Sequence, residues 1–146
     1  MRRALTICAL LAALPGCSHL VVLHDPLTAA EHNDLGVAYE ARQQTELAGR
    51  EYQSALRKDP HFTTARINLG NVAAQQQRWK QAERCYRTAL RERPADADAM
   101  NNLAVVLLRQ KKSLEEAESL ASRAVAADQA DLSYRATLEE VRAARR

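Results

Sequence analysis

A 34-residue periodicity is the feature that most constrains how this chain folds. Moving the sequence along by 34 residues superimposes segments 33–36, 67–70 and 101–104, which read Asn-Asp-Leu-Gly, Ile-Asn-Leu-Gly and Asn-Asn-Leu-Ala. The same shift places Tyr52 on Tyr86. In the third copy the second half runs one residue late, so that Ala121 stands where the tyrosine would be. Such a period predicts a stack of similar units, of which about three are needed for stability.

Each copy contains two runs of apolar residues spaced three and four apart, the pattern of two amphipathic helices. Apolar residues make up 47% of the chain but aromatic residues only 4%. This balance favours helices that pack closely through small side chains over a β-sandwich. The sequence therefore predicts an all-α fold, an α-solenoid of three helix-turn-helix repeats over residues 29–62, 63–96 and 97–131, followed by a capping helix and basic end over 132–146.

The repeated unit resembles the tetratricopeptide repeat. Its Leu-Gly pair is present at Leu35-Gly36 and Leu69-Gly70, and the later positions are matched by Ala48, Tyr52, Ala82, Tyr86, Pro60 and Pro94. The resemblance covers residues 29–131. It implies that the first helix of each repeat lines a concave groove that receives a peptide segment of another protein.

The resemblance also indicates which side chains line that groove. Asn68 and Asn102 recur at the repeat interval, and an asparagine offers a donor and an acceptor to a peptide amide. The alternative is that these asparagines bond to the neighbouring helix. The expected groove consists of Asn33, Asp34, Val37, Ile67, Asn68, Asn71, Asn101, Asn102, Val105 and Arg109.

One function of similar proteins is not expected here. Chaperone-binding members of the family hold a terminal carboxylate in a clamp of lysines, asparagine and arginine. The five matching positions in this chain are Asn33, Val37, Asn68, Asp98 and Asn102. Of these, only Asn68 has the residue type that the clamp uses.

Two local patterns predict how helices begin and how they approach one another. Thr28 with Glu31, and Ser113 with Glu116, fit capping boxes at the start of the first and sixth helices. Gly36 and Gly70 lie inside helices, where glycine costs about 1 kcal/mol. We expect that cost to be offset by close approach of the partner helix backbone.

The first residues predict export and lipidation. Arg2 and Arg3 precede an uncharged apolar run over 4–14, which is shorter than the ~20 residues of a membrane-spanning helix. The following Leu14-Pro15-Gly16-Cys17 resembles the lipobox of bacterial lipoproteins. The resemblance implies a signal peptide over 1–16, diacylglyceryl and N-acyl groups on Cys17, and a tether over 17–28. By the same resemblance, Ser18 favours an outer-membrane location facing the periplasm. The alternatives to lipidation are an ordinary cleaved signal peptide and a chance apolar start.

Charge and motif content narrow the function further. The formal net charge is +3, but removing Arg2 and Arg3 with the leader leaves it near +1, which gives no reason to expect a nucleic-acid partner. No phosphate-binding loop, nucleophile elbow or metal-ligand spacing is present in the sequence. We expect no enzymatic activity, small-molecule substrate, metal or cofactor other than the lipid on Cys17.

The predicted function is that of a membrane-anchored scaffold or assembly factor for a cell-envelope complex of the pilus or secretion type. Two alternatives stay open at this point. One is an adaptor that recruits cell-wall enzymes to the membrane, and the other is a structural protein that associates with itself.

Overall fold

The computed structural model of the protein describes residues 25–146. Over these residues it contains seven α-helices and no β-strand, so the all-α prediction is confirmed. None of these helices combines the length and apolar character needed to span a bilayer. The helices are α1 (Ala29–Ala41), α2 (Thr45–Lys58), α3 (Thr63–Gln75), α4 (Trp79–Glu92), α5 (Ala97–Arg109), α6 (Leu114–Ala127) and α7 (Leu132–Ala144).

The helices stack in chain order, since each packs mainly against those before and after it. Turns over 42–44 and 76–78 join the first two helix pairs, and each contains a residue at positive φ, Gln43 at 60° and Gln77 at 57°. The third turn covers 110–113 and is one residue longer, which accounts for the shift in the sequence repeat. Lys111 lies at the equivalent position with a φ of 50°.

The helix starts show one capping prediction confirmed and one wrong. The hydroxyl of Thr28 accepts a hydrogen bond from the backbone N–H of Glu31 at 3.2 Å, and the Glu31 carboxylate accepts one from the Thr28 N–H at 2.7 Å. Ser113 also precedes its helix, but its φ is 46° and its side chain makes no capping hydrogen bond. The longer turn places Ser113 in the left-handed region, whereas a capping side chain requires extended backbone.

A buried histidine ties the start of the described chain to the first hairpin. His32 is 5% exposed, and its Nδ1 and Nε2 lie 2.7 Å from carboxylate oxygens of Glu51 and Asp25. Burial alone would lower the pKa of His32, but the two carboxylates outweigh burial and raise it above 6.5. Because the folded pKa is raised, this site stabilises the fold below pH 6.5 and loses its contribution as the pH rises through the folded pKa. Lys58 Nζ donates to the backbone oxygen of Asp25 at 2.7 Å.

A charged network joins the second hairpin to the third. The Glu83 carboxylate accepts hydrogen bonds from Arg87 at 2.9 Å, Gln110 at 3.0 Å and Lys112 at 3.1 Å, and Arg87 also donates to both oxygens of Glu116 at 2.6 and 2.9 Å. Burial opposes ionisation of Glu83, but these donors lower its pKa to about 2. The network therefore contributes stability above pH 4.5, the ordinary value, and loses it as the pH falls towards 2.

The helix glycines make room for a tyrosine ring, which corrects the expectation that a helix backbone approaches there. A Cβ atom added to Gly70 would lie 2.6 Å from the Tyr86 ring, and one added to Gly36 would overlap the Tyr52 ring. Both tyrosines are fully buried. In the third hairpin, where Ala121 replaces the tyrosine, Ala104 replaces the glycine, and both alanines are buried.

This packing predicts that the effect of Gly70→Ala depends on residue 86. With Tyr86 present, overpacking of about 1 to 3 kcal/mol should exceed the gain of about 1 kcal/mol in helix propensity, so the variant unfolds at lower urea. The Tyr86→Ala substitution alone should lower the free energy of unfolding by about 3 to 5 kcal/mol. In that background Gly70→Ala should stabilise the protein, because the ring is gone and only the gain in helix propensity remains. Urea unfolding in the cold measures both backgrounds. An equal cost in both would contradict the packing account.

Candidate functional site

The first helices of the three hairpins, α1, α3 and α5, form the surface that the repeat resemblance implies to be concave, and asparagine side chains join them across it. A cleft of about 450 Å³ lies between α3 and α5 on this surface. It continues along the same two helices to Ala74, Gln75 and Val105. The lining residues of the first cleft are Thr64, Ile67, Asn68, Asn71, Arg93, Asp96, Asp98 and Asn102. Its walls therefore combine three asparagines and a threonine with one isoleucine, one arginine and two aspartates.

The asparagines on this surface bond to one another between repeats. Asn68 Nδ2 donates to Asn33 Oδ1 at 3.0 Å, which joins α3 to α1. Asn102 Nδ2 donates to Asn71 Oδ1 at 3.0 Å, which joins α5 to α3. The Tyr86 hydroxyl donates to the same Asn71 oxygen at 2.7 Å. Bonding to the neighbouring helix, the alternative that the sequence left open, is thus present at both recurring asparagines.

These bonds use one polar atom of each of the Asn68 and Asn71 side-chain amides and leave the other atom available to a ligand. Within residues 25–146 no hydrogen-bond partner meets Asn68 Oδ1 or Asn71 Nδ2. The two residues are three apart on one helix, so their side chains are neighbours on the same face. One supplies an acceptor and the other a donor, which is what the N–H and C=O of a peptide backbone require.

The remaining predicted groove residues divide between exposed and buried positions. Asp34 and Val37 are exposed on α1, Val105 is half-buried on α5, and Arg109 is exposed and 3.8 Å from Glu140 of α7. Asn33, Ile67 and Asn101 are only 7%, 8% and 7% exposed. Ile67 nevertheless lines the cleft between α3 and α5, whereas Asn33 and Asn101 do not line it and offer a ligand little surface.

The structure adds residues that the sequence argument did not include. The Tyr86 hydroxyl reaches the cleft from α4, although in the sequence Tyr86 stood out only as a position that repeats. Thr64 and Asp98 lie in the cleft as well. The sequence period could have identified Thr64 and Asp98, since they stand 34 residues apart at the same position of the repeat.

Helix α7 follows the third hairpin and packs against α5 and α6. Tyr134 and Val141 are buried in this contact. The Tyr134 hydroxyl donates to Asp98 Oδ1 at 2.7 Å, and the nearby carboxylate raises the pKa of the phenol. The C-terminal helix thereby fixes the side chain of Asp98 beside the cleft.

Of the three cysteines, only Cys85 lies within the described residues. The leader, Cys17 and the first part of the tether fall within residues 1–24, outside the described residues. Cys85 is half-buried on α4, and burial raises the pKa of its thiol, which disfavours the reactive thiolate.

The chain is similar to tetratricopeptide repeat proteins in sequence and in structure. The model of the tetratricopeptide repeat matches residues 33–83 and 67–131. No curated protein matches the chain. One similar solved structure is the first tetratricopeptide domain of Spaghetti (RPAP3) bound to the HSP90 peptide SRMEEVD, with 16% identity over 80% of this chain and 91% of that one and a TM-score of 0.75. Another is the tetratricopeptide domain of Arabidopsis OM64, with 15% identity over 79% of this chain and 94% of that one and a TM-score of 0.74.

Proposed function

This chain belongs to the tetratricopeptide repeat family, and we propose that it is an interaction protein whose concave groove binds an extended segment of a partner protein. The available pair formed by Asn68 Oδ1 and Asn71 Nδ2 carries the proposal, because it matches the polar groups of a peptide backbone without depending on the peptide's side chains. The similar domain of Spaghetti is bound to a peptide, which is consistent with this use of the fold.

The structural role of Asn68 can be separated from its proposed role in binding. Asn68→Ala removes both the bond to Asn33 and the groove acceptor, whereas Asn33→Ala removes the same bond but leaves Asn68 Oδ1 in place. Each variant should lose about 0.5 to 1.5 kcal/mol of stability. Loss of a further hydrogen bond to the ligand should weaken binding about fivefold, in Asn68→Ala alone.

Co-purification from detergent-solubilised membranes identifies the partner, and titration of the purified pair measures the affinity of each variant. If Asn33→Ala and Asn68→Ala weaken capture equally, the asparagine acts only as a strut between helices. If neither weakens capture, the partner binds elsewhere on the protein.

We further propose that the repeat domain is held at a bacterial membrane by lipid on Cys17. The proposal rests on the lipobox-like segment over 14–17, which follows a positively charged start and a short apolar run. A single acyl chain gives only marginal membrane binding, whereas two or three hold a protein durably. Ser18 favours transfer to the outer membrane, with the repeats in the periplasm.

Cys17→Ser should release the protein from the membrane fraction after a salt wash, because it removes the only lipid attachment site in the proposal. Cys85→Ser is the matched control, since it also exchanges one thiol for a hydroxyl, and it should stay with the membrane. Fractionation of cells that express each variant provides the measurement. Retention of the Cys17→Ser protein would exclude lipid attachment at this residue as the anchor.

With a lipid at one end and a peptide groove on the repeats, the protein would act as a scaffold or assembly factor for a cell-envelope complex of the pilus or secretion type. Co-purified pilus or secretion subunits would support this assignment. Recovery of cell-wall hydrolases or synthases would replace it with a role as adaptor for those enzymes.

A further inference from the structure

We infer that the segment bound in the groove is cationic, with lysine or arginine side chains placed against Asp34, Glu40 and Asp98. This inference rests on the proposed peptide-binding function and specifies its ligand. It follows from where three carboxylates lie, and from the fact that none of them forms an ion pair within the described part of the chain.

The repeat places Asp34 and Glu40 on the concave surface. Asn68 and Ala74 both line the cleft on α3. Their equivalents 34 residues earlier are Asp34 and Glu40 on α1, and Asp98 lies in the cleft directly. Asp34 is exposed, and Asn33 Nδ2 is bonded to it at 3.5 Å.

The other charged groups along this surface are compensated in pairs. Arg93 Nη2 lies 3.1 Å from Asp96 Oδ2, and Arg109 Nη2 lies 3.8 Å from Glu140 Oε2. These pairs leave little net charge for a ligand to meet. They also show that the basic residues nearest the cleft are already directed at other carboxylates.

By contrast, Asp34, Glu40 and Asp98 form no ion pair among residues 25–146. Each receives a hydrogen bond from a neutral donor: an asparagine amide for Asp34, the Tyr52 hydroxyl for Glu40 and the Tyr134 hydroxyl for Asp98. A neutral donor fixes the position of a carboxylate but does not cancel its charge. Three negative charges therefore remain at fixed positions along the groove.

The rest of the surface suits the body of such a ligand. The α3 wall presents uncharged side chains, including Thr64, Asn68, Asn71 and Gln75. The backbone of an extended segment would bond to the α3 amides, while its basic side chains reach the carboxylates on either side. Opposite charge also raises the rate of encounter, and both effects weaken with added salt.

Selection of a random peptide library on the full-length protein in detergent micelles tests this inference. Peptides retained by the unchanged protein should be enriched in lysine and arginine. The variant Asp34→Asn with Glu40→Gln keeps side-chain shape and acceptor oxygens but removes two charges. It should bind a selected basic peptide about threefold to tenfold more weakly, as expected for two exposed charge contacts.

Asp34→Lys with Glu40→Lys should abolish the basic enrichment. Glu46→Lys is the matched control, because it reverses an exposed carboxylate on the outer helix α2, and it should leave the enrichment unchanged. If the neutral variant binds the selected basic peptide as tightly as the unchanged protein does, the inference is wrong.

The failure of this inference is distinguishable from failure of the proposed function. Selected peptides without basic enrichment that lose affinity in Asn68→Ala would leave the groove as the binding site and remove only the charge preference. Selected peptides whose affinity is unaffected by Asn68→Ala, or a library from which nothing is retained, would overturn both.

Discussion

The array depends on a tyrosine ring packed against a glycine inside each of the first two hairpins. Tyr86 is 1% exposed, and only the missing Cβ of Gly70 allows its ring to lie so close to α3. The ring brings the two helices together, and its hydroxyl reaches Asn71 on the concave side. A single core residue thus sets the hairpin spacing and orients a groove amide. The Tyr52 hydroxyl also donates to a residue of its partner helix, Glu40, which stands at a different position of the repeat from Asn71.

The third hairpin is held in a different way. Its tyrosine and glycine positions are both alanine, so no ring fills the space between helices and no hydroxyl extends towards the groove. Polar contacts from the flanking elements supplement the packing there. The buried Glu83 carboxylate binds Gln110 and Lys112 in the turn before α6, and Tyr134 of α7 binds Asp98 at the start of α5. These contacts join the hairpin to its neighbours on both sides.

The sequence determined the architecture because its signals repeat: three copies of one pattern define the helices even where a single copy is ambiguous. Details that depend on one backbone angle or one side-chain direction were not accessible. Ser113 fits a capping box by residue type, but the longer turn gives it a φ of 46°. Asn33 and Asn101 are polar residues at the repeat positions expected to line the groove, but their side chains are buried. Which atom of the Asn68 amide is already bonded depends on the contact with Asn33, 35 residues away, and no pattern in the sequence indicates that contact.

Site-specific photocrosslinking in living cells tests the central claim, that the concave groove holds the partner protein. A photoreactive residue replaces Val37 or Val105 on the groove, and Gln53, exposed on the outer helix α2, serves as the comparison. The account predicts covalent adducts with the same partner from both groove positions and none from Gln53. Adducts from Gln53 without adducts from Val37 or Val105 would contradict it and place binding on the convex face.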